Sequence, residues 1–122
     1  MTRLRRALCL GPLAFLCGYA AAVPSAVEQA RIDKLLDAVA RNATVRFIRN
    51  GSDYGGADAA SFLRRKLEAY GDRVKTVQDF IDQVASQSST SGQIYKVRLA
   101  DGREVPSADF LRTELARVEA GR

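Results

Sequence analysis

Both cysteines of the chain, Cys9 and Cys17, fall within its first 22 residues, and that stretch reads as a removable leader. Arg3, Arg5 and Arg6 give it a positive start, and Ala7 to Cys17 is almost wholly apolar. An apolar run this short cannot cross a hydrocarbon core, which takes about 20 residues of helix. Gly11-Pro12 interrupts the run, which argues against a buried N-terminal helix. Ala20-Ala21-Ala22 offers a small-residue cleavage site ahead of Val23-Pro24. The residues around Arg5-Arg6 match a twin-arginine signal poorly, so an ordinary secretion signal is expected. Leu16 is bulky where lipid attachment at Cys17 would want a small residue, so a soluble periplasmic product is expected rather than an anchored one. The expected division is a cleavable signal at 1–22 and one mature domain at 23–122.

Removing the leader limits what remains. The mature part has no Cys, no His and no Trp. That excludes a disulfide framework, a thiol nucleophile, a thiolate zinc site, a histidine general base and a haem histidine. No cofactor and no metal are expected. A domain of about a hundred residues without staples must rest on its apolar core. The leader also takes three of the 19 basic residues and none of the 14 acidic ones, so the net charge falls from +5 to +2. A nucleic-acid partner loses most of its electrostatic support, and export makes it less expected still.

The mature chain alternates helical and extended patterns. Ile32, Leu35, Leu36, Val39 and Ala40 recur at helical spacing behind a Ser25…Glu28 capping-box pattern, predicting a helix over 26–41. Asn42-Ala43-Thr44 matches a glycosylation sequon, a motif common by chance. Thr44 to Ile48 reads as a strand, and Asn50-Gly51 as a turn that leaves Tyr54 in a loop. Ala60, Leu63, Leu67 and Tyr70 form the stripe of a second helix over 57–70, stopped by Gly71. Thr76…Asp79 opens a third helix over 77–86, with Val77, Phe80, Ile81, Val84 and Ala85 on its apolar face. A polar loop follows from Ser86 to Gly92. A strand over 93–99, an Asp101-Gly102 hairpin turn, a short return strand over 103–105 and a helix over 108–119 capped by Ser107 complete the chain. The order α-β-α-α-β-β-α predicts an α+β fold, a small antiparallel sheet of about three strands with about four helices on one face.

Several short stretches together carry a resemblance. They are Phe47-Ile48-Arg49-Asn50-Gly51-Ser52-x-Tyr54, Leu63-Arg64-x-Lys66, Gly71-Asp72-Arg73-Val74-Lys75-Thr76, Asp79-Phe80-Ile81-Asp82, Ser88-Ser89-x-Ser91-Gly92-x-x-Tyr95 and Asp101-Gly102-Arg103-x-Val105-Pro106. In these the chain resembles an uncharacterised family of short exported bacterial proteins, a domain of unknown function. The resemblance implies a secretory leader and one compact domain, and it brings no activity, cofactor or catalytic residue. In that family a His often precedes the Leu-Arg of the second helix. Here the position is Phe62, so chemistry that needs this imidazole is not expected.

The residues themselves suggest where a ligand would sit. Arg49, Asn50, Ser52 and Tyr54 gather a cation, an amide, a hydroxyl and an aromatic at one turn, while Ser88 and Ser91 lie in a hydroxyl-rich loop. Arg64 and Lys66 could face either loop. Such groups with backbone N–H donors can bind an anion through charge-assisted hydrogen bonds. The same residues also suit a tight turn and helix caps with no ligand. Of Tyr54, Tyr70 and Tyr95, the loop position of Tyr54 makes it the expected pocket wall, and Tyr70 falls on a core stripe. Arg64-Arg65-Lys66, Arg73 and Lys75 read as a solvated basic face. Asp79 and Asp82 could pair for acid–base work, although Asp79 is placed to cap and Asp82 to meet a surface cation. Ser88 or Ser91 with Lys66 or Lys75 could in principle form a Ser-Lys pair, but the spacing S-x-x-K is absent. The leading expectation is a non-catalytic binding or accessory module for an anionic small molecule, an acidic glycan or an envelope protein. A hydrolase acting on envelope components and a subunit of an envelope assembly are the alternatives.

Overall fold

The computed structural model describes residues 24–121, and the expected leader at 1–22 lies outside them. Helix α1 spans Ala26–Arg41 and buries Ile32, Leu35, Leu36, Ala38 and Val39. Ala38 takes the buried place expected for Ala40, which is exposed. Ser25 caps the helix by accepting from the Glu28 N–H at 3.2 Å. The expected capping box is only half made, because the Glu28 carboxylate turns outward to accept from the Val77 N–H at 2.8 Å. Arg31 then bridges Glu28 at 3.1 Å and Glu119 at 2.6 Å. The first turn of α1 is thereby tied to two later helices. The sequon residues form a local turn instead, with Asn42 Oδ1 accepting from the Thr44 N–H and hydroxyl, both at 2.9 Å.

The sheet has four antiparallel strands in the order β2-β1-β3-β4. Strand β1 spans Arg46–Arg49 and β2 spans Ser52–Tyr54. Arg49 pairs with Ser52, so Asn50-Gly51 is the whole hairpin loop. Both loop residues have positive φ, 52° and 85°, the arrangement whose twist matches the flanking strands. That geometry extends the chain after the turn, which adds a strand to the expected three and moves Tyr54 from a loop onto β2. Strand β3 covers Lys96–Arg98 only. It is shorter than expected because the Tyr95 N–H donates to the Ser86 carbonyl at 3.0 Å, drawing that segment toward the polar loop. Strand β4 is Glu104–Pro106.

Alternation gives the sheet one dry face and one wet one. Phe47 and Val97 pair on the face that meets the helices, and both are buried. Arg46, Asp53, Arg98 and Glu104 occupy the other face, with Arg98 3.0 Å from Asp53 and 3.3 Å from Glu104. These exposed pairs contribute little stability, about 0–1 kcal/mol each.

Three more helices cover the dry face. Helix α2 is Gly56–Tyr70 and packs along α1. Helix α3 opens with Val77–Asp79 in α geometry and widens into a π-helical stretch over Phe80–Val84. It ends at Val84, two residues before the expected Ser86, with the Ala85 N–H donating to the Phe80 carbonyl at 3.1 Å. Phe80, Ile81, Val84 and Ala85 are fully buried, and with Ile32, Leu35, Leu36, Val39 and Leu111 they form the centre of the core. Helix α4 is Ser107–Gly121. It begins at Ser107 itself, and Phe110 meets Phe47 edge to face at 5.7 Å. Among the described residues no helix is long and apolar enough to cross a membrane.

The crossing of α1 and α2 depends on a single missing side chain. A Cβ on Gly56 would overlap the Val39 carbonyl oxygen and sit 2.8 Å from that of Asn42. Neither backbone can give way cheaply, because one belongs to a buried helix and the other to its cap. Gly56→Ala is expected to lower unfolding stability by about 2 kcal/mol or more, as overpacking does. Gly55→Ala, at an ordinary φ of −74°, should stay within about 1 kcal/mol of the parent. Urea denaturation of the two variants checks this.

Candidate functional site

A stripe on α2 forms the floor of a groove. Phe62, Lys66 and Tyr70 follow one another at i, i+4 and i+8, so they share one helix face. That face passes the end of β1 and runs beneath the loop at 86–92. Arg49 closes β1 and points to the same side as Phe47. Its guanidinium carbon lies 4.0 Å from the centre of the Phe62 ring and 5.1 Å from that of Tyr54. One Arg49 Nη donates to the Tyr54 hydroxyl at 3.2 Å. Arg49 Nε is buried and has no hydrogen-bond partner.

Lys66 is held equally firmly. Its Nζ donates to the Gln87 carbonyl at 2.7 Å and to the Tyr95 hydroxyl at 3.0 Å. Partial burial, and secondarily the charge of Arg49, lower its pKa below the ordinary lysine value. Burial raises the pKa of the Tyr95 phenol, against a smaller opposing effect of Arg49. Phe62 meets Tyr95 edge to face at 6.0 Å, which fixes the two platforms against each other.

The loop is organised by its own hydroxyls. Ser88 is buried, and its Oγ accepts from the N–H groups of Thr90 at 3.3 Å and Ser91 at 3.2 Å. Ser91 donates across to Asn50 Oδ1 at 2.8 Å, joining the loop to the β1–β2 hairpin. Tyr70 and Ser89 share a hydroxyl hydrogen bond at 3.3 Å. Between hairpin, loop and α2 lies an open groove of about 340 Å³. Arg49, Asn50, Phe62, Arg65, Lys66 and Tyr95 line it, with Ser88-Ser89-Thr90 along one side.

The charge of this lining is one-sided. It contains three cations and no carboxylate. Elsewhere Arg31, Arg46, Arg64, Arg98, Arg103, Arg112 and Arg117 each have an acidic partner. The three cations of the groove, Arg49, Arg65 and Lys66, have no acidic partner among the described residues, and Arg49 and Lys66 lack one although they are partly buried.

The structure brings together Arg49, Asn50, Lys66 and Ser88, with Ser91 as the link between the two loops. It sets the other expected residues apart. Tyr54 stands behind Arg49 as its hydrogen-bond acceptor, outside the groove lining, and is the wall of a small adjoining cavity of about 30 Å³ that Arg49, Phe62 and Tyr95 also line. Ser52 is exposed on β2 and also outside the lining. Arg64 turns away to Asp33 on α1 at 3.0 Å. Phe62, read from the sequence only as a position without imidazole, is the platform for Arg49. Arg65, read as solvated, is a third cation at the groove. The i, i+4 spacing of Phe62 and Lys66 is the signal that would have found this face. Asp79 and Asp82 do not converge: Asp79 completes the Thr76 capping box, and Asp82 pairs with Arg112 at 2.6 Å. Among the described residues no cluster of three or more His, Cys, Asp or Glu is placed to hold a metal ion.

A family of unknown function, DUF5329, matches residues 26–119. The chain belongs to that family. The match takes in all the groove residues and every element described above apart from the last two residues of α4. A relative within reach of the DUF5329 chain is the uncharacterized protein YfeK of Salmonella typhimurium, 42% identical over 71 residues. That alignment covers 58% of this chain and 59% of YfeK. No solved structure matches.

Arg49 offers a direct test of whether the groove is built for folding. Its stacking on Phe62 stabilises by about 0.5–2 kcal/mol. Its unpartnered Nε costs about 1–3 kcal/mol. Arg49→Met keeps the packed stem and removes both effects. Its unfolding stability is expected to stay within about 1 kcal/mol of the parent, read by thermal or urea denaturation.

Proposed function

We propose that this protein is an exported, non-catalytic binding module whose groove takes an anionic ligand. The observation that carries the reading is the convergence of Arg49, Arg65 and Lys66 on a lining without a carboxylate. Two of these cations are partly buried and close enough for one to depress the other's pKa. Like charges at a partly desolvated site repel, and an anion from outside is the counter-charge that would relieve them. Binding without turnover fits the groove because its titratable groups, Lys66 and Tyr95, are already hydrogen-bonded to each other.

The test is a thermal-shift screen of the purified protein against carboxylates, phosphates and acidic sugars at low and high salt. Ligand at about 100 times its Kd should stabilise by roughly 2.7 kcal/mol, and added salt should weaken the shift. Arg49→Ala and Lys66→Gln are expected to abolish the shift, whereas Arg64→Ala keeps it. A shift that survives both groove substitutions would overturn the site.

The reading also has a pH signature. An anion needs Lys66 protonated, so affinity should fall as pH rises through the lowered Lys66 pKa, earlier than for an ordinary lysine. The free protein should respond in the opposite sense. A depressed lysine pKa means that the neutral form suits the fold, so Lys66 contributes stability above its unfolded pKa and loses it as pH falls through the folded one. Thermal denaturation across the alkaline range, with ligand for the first sign and without it for the second, checks both, and the ligand-free Lys66→Gln variant is the flat control for stability.

Export is part of the same proposal. The leader pattern at 1–22 supports it. The protein recovered from a periplasmic extract should begin at Val23, read by N-terminal sequencing. A full-length product confined to the cytoplasm would remove export from the proposal.

A further inference from the structure

The hydrogen-bonding polarity of the groove narrows the anion's chemistry. Several of its acceptors are already engaged within the chain. Asn50 Oδ1 receives the Ser91 hydroxyl, and the Tyr95 hydroxyl and Gln87 carbonyl receive Lys66. Ser88 Oγ receives two backbone N–H groups. The donors are the groups left over. With Oδ1 held by Ser91, the Asn50 amide presents its NH₂, which has no partner among the described residues. Lys66 has spent two of its three protons. Arg49 has spent one Nη bond, and Arg65 has formed none among the described residues.

Such a lining suits a ligand that only accepts. A neutral sugar hydroxyl both donates and accepts, and it would use the cations no better than water does, whereas an anion answers them with charge. A single carboxylate offers two oxygens and one charge against three cations. A phosphate monoester carries about −1.5 to −2 charges at neutral pH and three acceptor oxygens. Resting on the anion-binding reading above, we infer that the groove recognises a phosphate monoester, with Arg49 and Lys66 neutralising it and the Asn50 amide donating to a third oxygen. Arg65, on the exposed flank, adds long-range attraction. The Ser91 hydroxyl acts as a positioning group, because its bond to Oδ1 sets which end of the Asn50 amide faces the ligand. The group could be carried on a soluble metabolite or on a lipid, since either displays the same three oxygens.

The experiment compares four probes by titration calorimetry at one pH and ionic strength. They are glycerol 3-phosphate, succinate, acetate and the neutral sugar glucose. Glycerol 3-phosphate is expected to bind at least about tenfold tighter than succinate, which matches it in charge but not in shape, and more tightly still than acetate, with glucose silent. Asn50→Gly keeps the positive φ of the hairpin and removes the amide, so it should weaken glycerol 3-phosphate about tenfold. Co-sedimentation with phosphatidylcholine vesicles containing phosphatidic acid separates the sources. Binding to vesicles well above that to the free phosphate assigns a lipid-borne group, and comparable binding assigns a soluble one. Succinate or acetate binding as tightly as glycerol 3-phosphate, with the loss on Lys66→Gln retained, would overturn the phosphate inference and leave the anion reading standing. No binding by any of the charged probes would overturn both.

Discussion

The position of α2 is the constraint from which the rest of the molecule follows. The hairpin delivers the chain at Tyr54, and two glycines later the backbone of Gly56 lies against the last carbonyls of α1. No residue with a side chain could start α2 there. Once its first turn is fixed against α1, the helical repeat dictates the rest. Ala59, Ala60 and Leu63 face the core, and Phe62, Lys66 and Tyr70 fall on the adjoining stripe. The groove is the place where that stripe leaves the core and meets the end of β1. An error of a few tenths of an ångström at Gly56 would be carried along the whole helix to Lys66, because a helix transmits such a shift rigidly.

A second constraint runs along the opposite side of the core. Glu28 gives up its role in its own helix cap to hold the start of α3, and Arg31 carries the same network to Glu119 on α4. These bonds place α3, whose π-helical stretch turns three apolar side chains inward and releases the chain at Ala85. The polar loop that follows is therefore launched from the core at a fixed point. Its first backbone contacts, Tyr95 to Ser86 and Ser88 to Gln93, close it on itself beside the groove. A hydroxyl-rich segment of this kind needs no ligand to hold its shape. What sets it apart is that one of its hydrogen bonds to other segments, from Ser91, goes to Asn50, a residue of the groove lining.

Elements with a strong period were legible from the sequence, and elements made by contact were not. The buried face of α3 could be read in full because Val77, Phe80, Ile81, Val84 and Ala85 keep a clean helical spacing. Its widening into π geometry could not, because that depends on how these side chains pack together. Strand β2 has no hydrophobic alternation to announce it: Ser52 and Asp53 are polar, and only pairing with β1 across Asn50-Gly51 makes the segment extended. Gly56 is a packing residue where its neighbour Gly55 is not, and nothing in the local sequence distinguishes the two. At the site, the turn and the loop were visible as clusters of residue type. Which cation joined them was settled by rotation around α2, where one step separates Arg64, facing Asp33, from Arg65 on the groove.

That rotation also explains how a chain with almost balanced charge can carry a strongly cationic site. Over residues 23–122 the net charge is +2, and each arginine of the outer sheet face and of α4 has a carboxylate within reach. Arg49 and Lys66 are answered by aromatic faces, a phenol and a backbone carbonyl instead. Those partners orient a cation without neutralising it. The energetic consequence is that the site keeps its field: a carboxylate in the same position would have stabilised the free protein and cancelled the attraction for an anion. Burial of Arg49 Nε without a partner fits the same arrangement, since the guanidinium is held where Phe62 and Tyr54 put it and not where its own hydrogen bonding would be best served. Preorganised, unneutralised donors are costly to a fold and useful to a binding site, and in this domain they occur together where the hairpin, the loop and α2 meet.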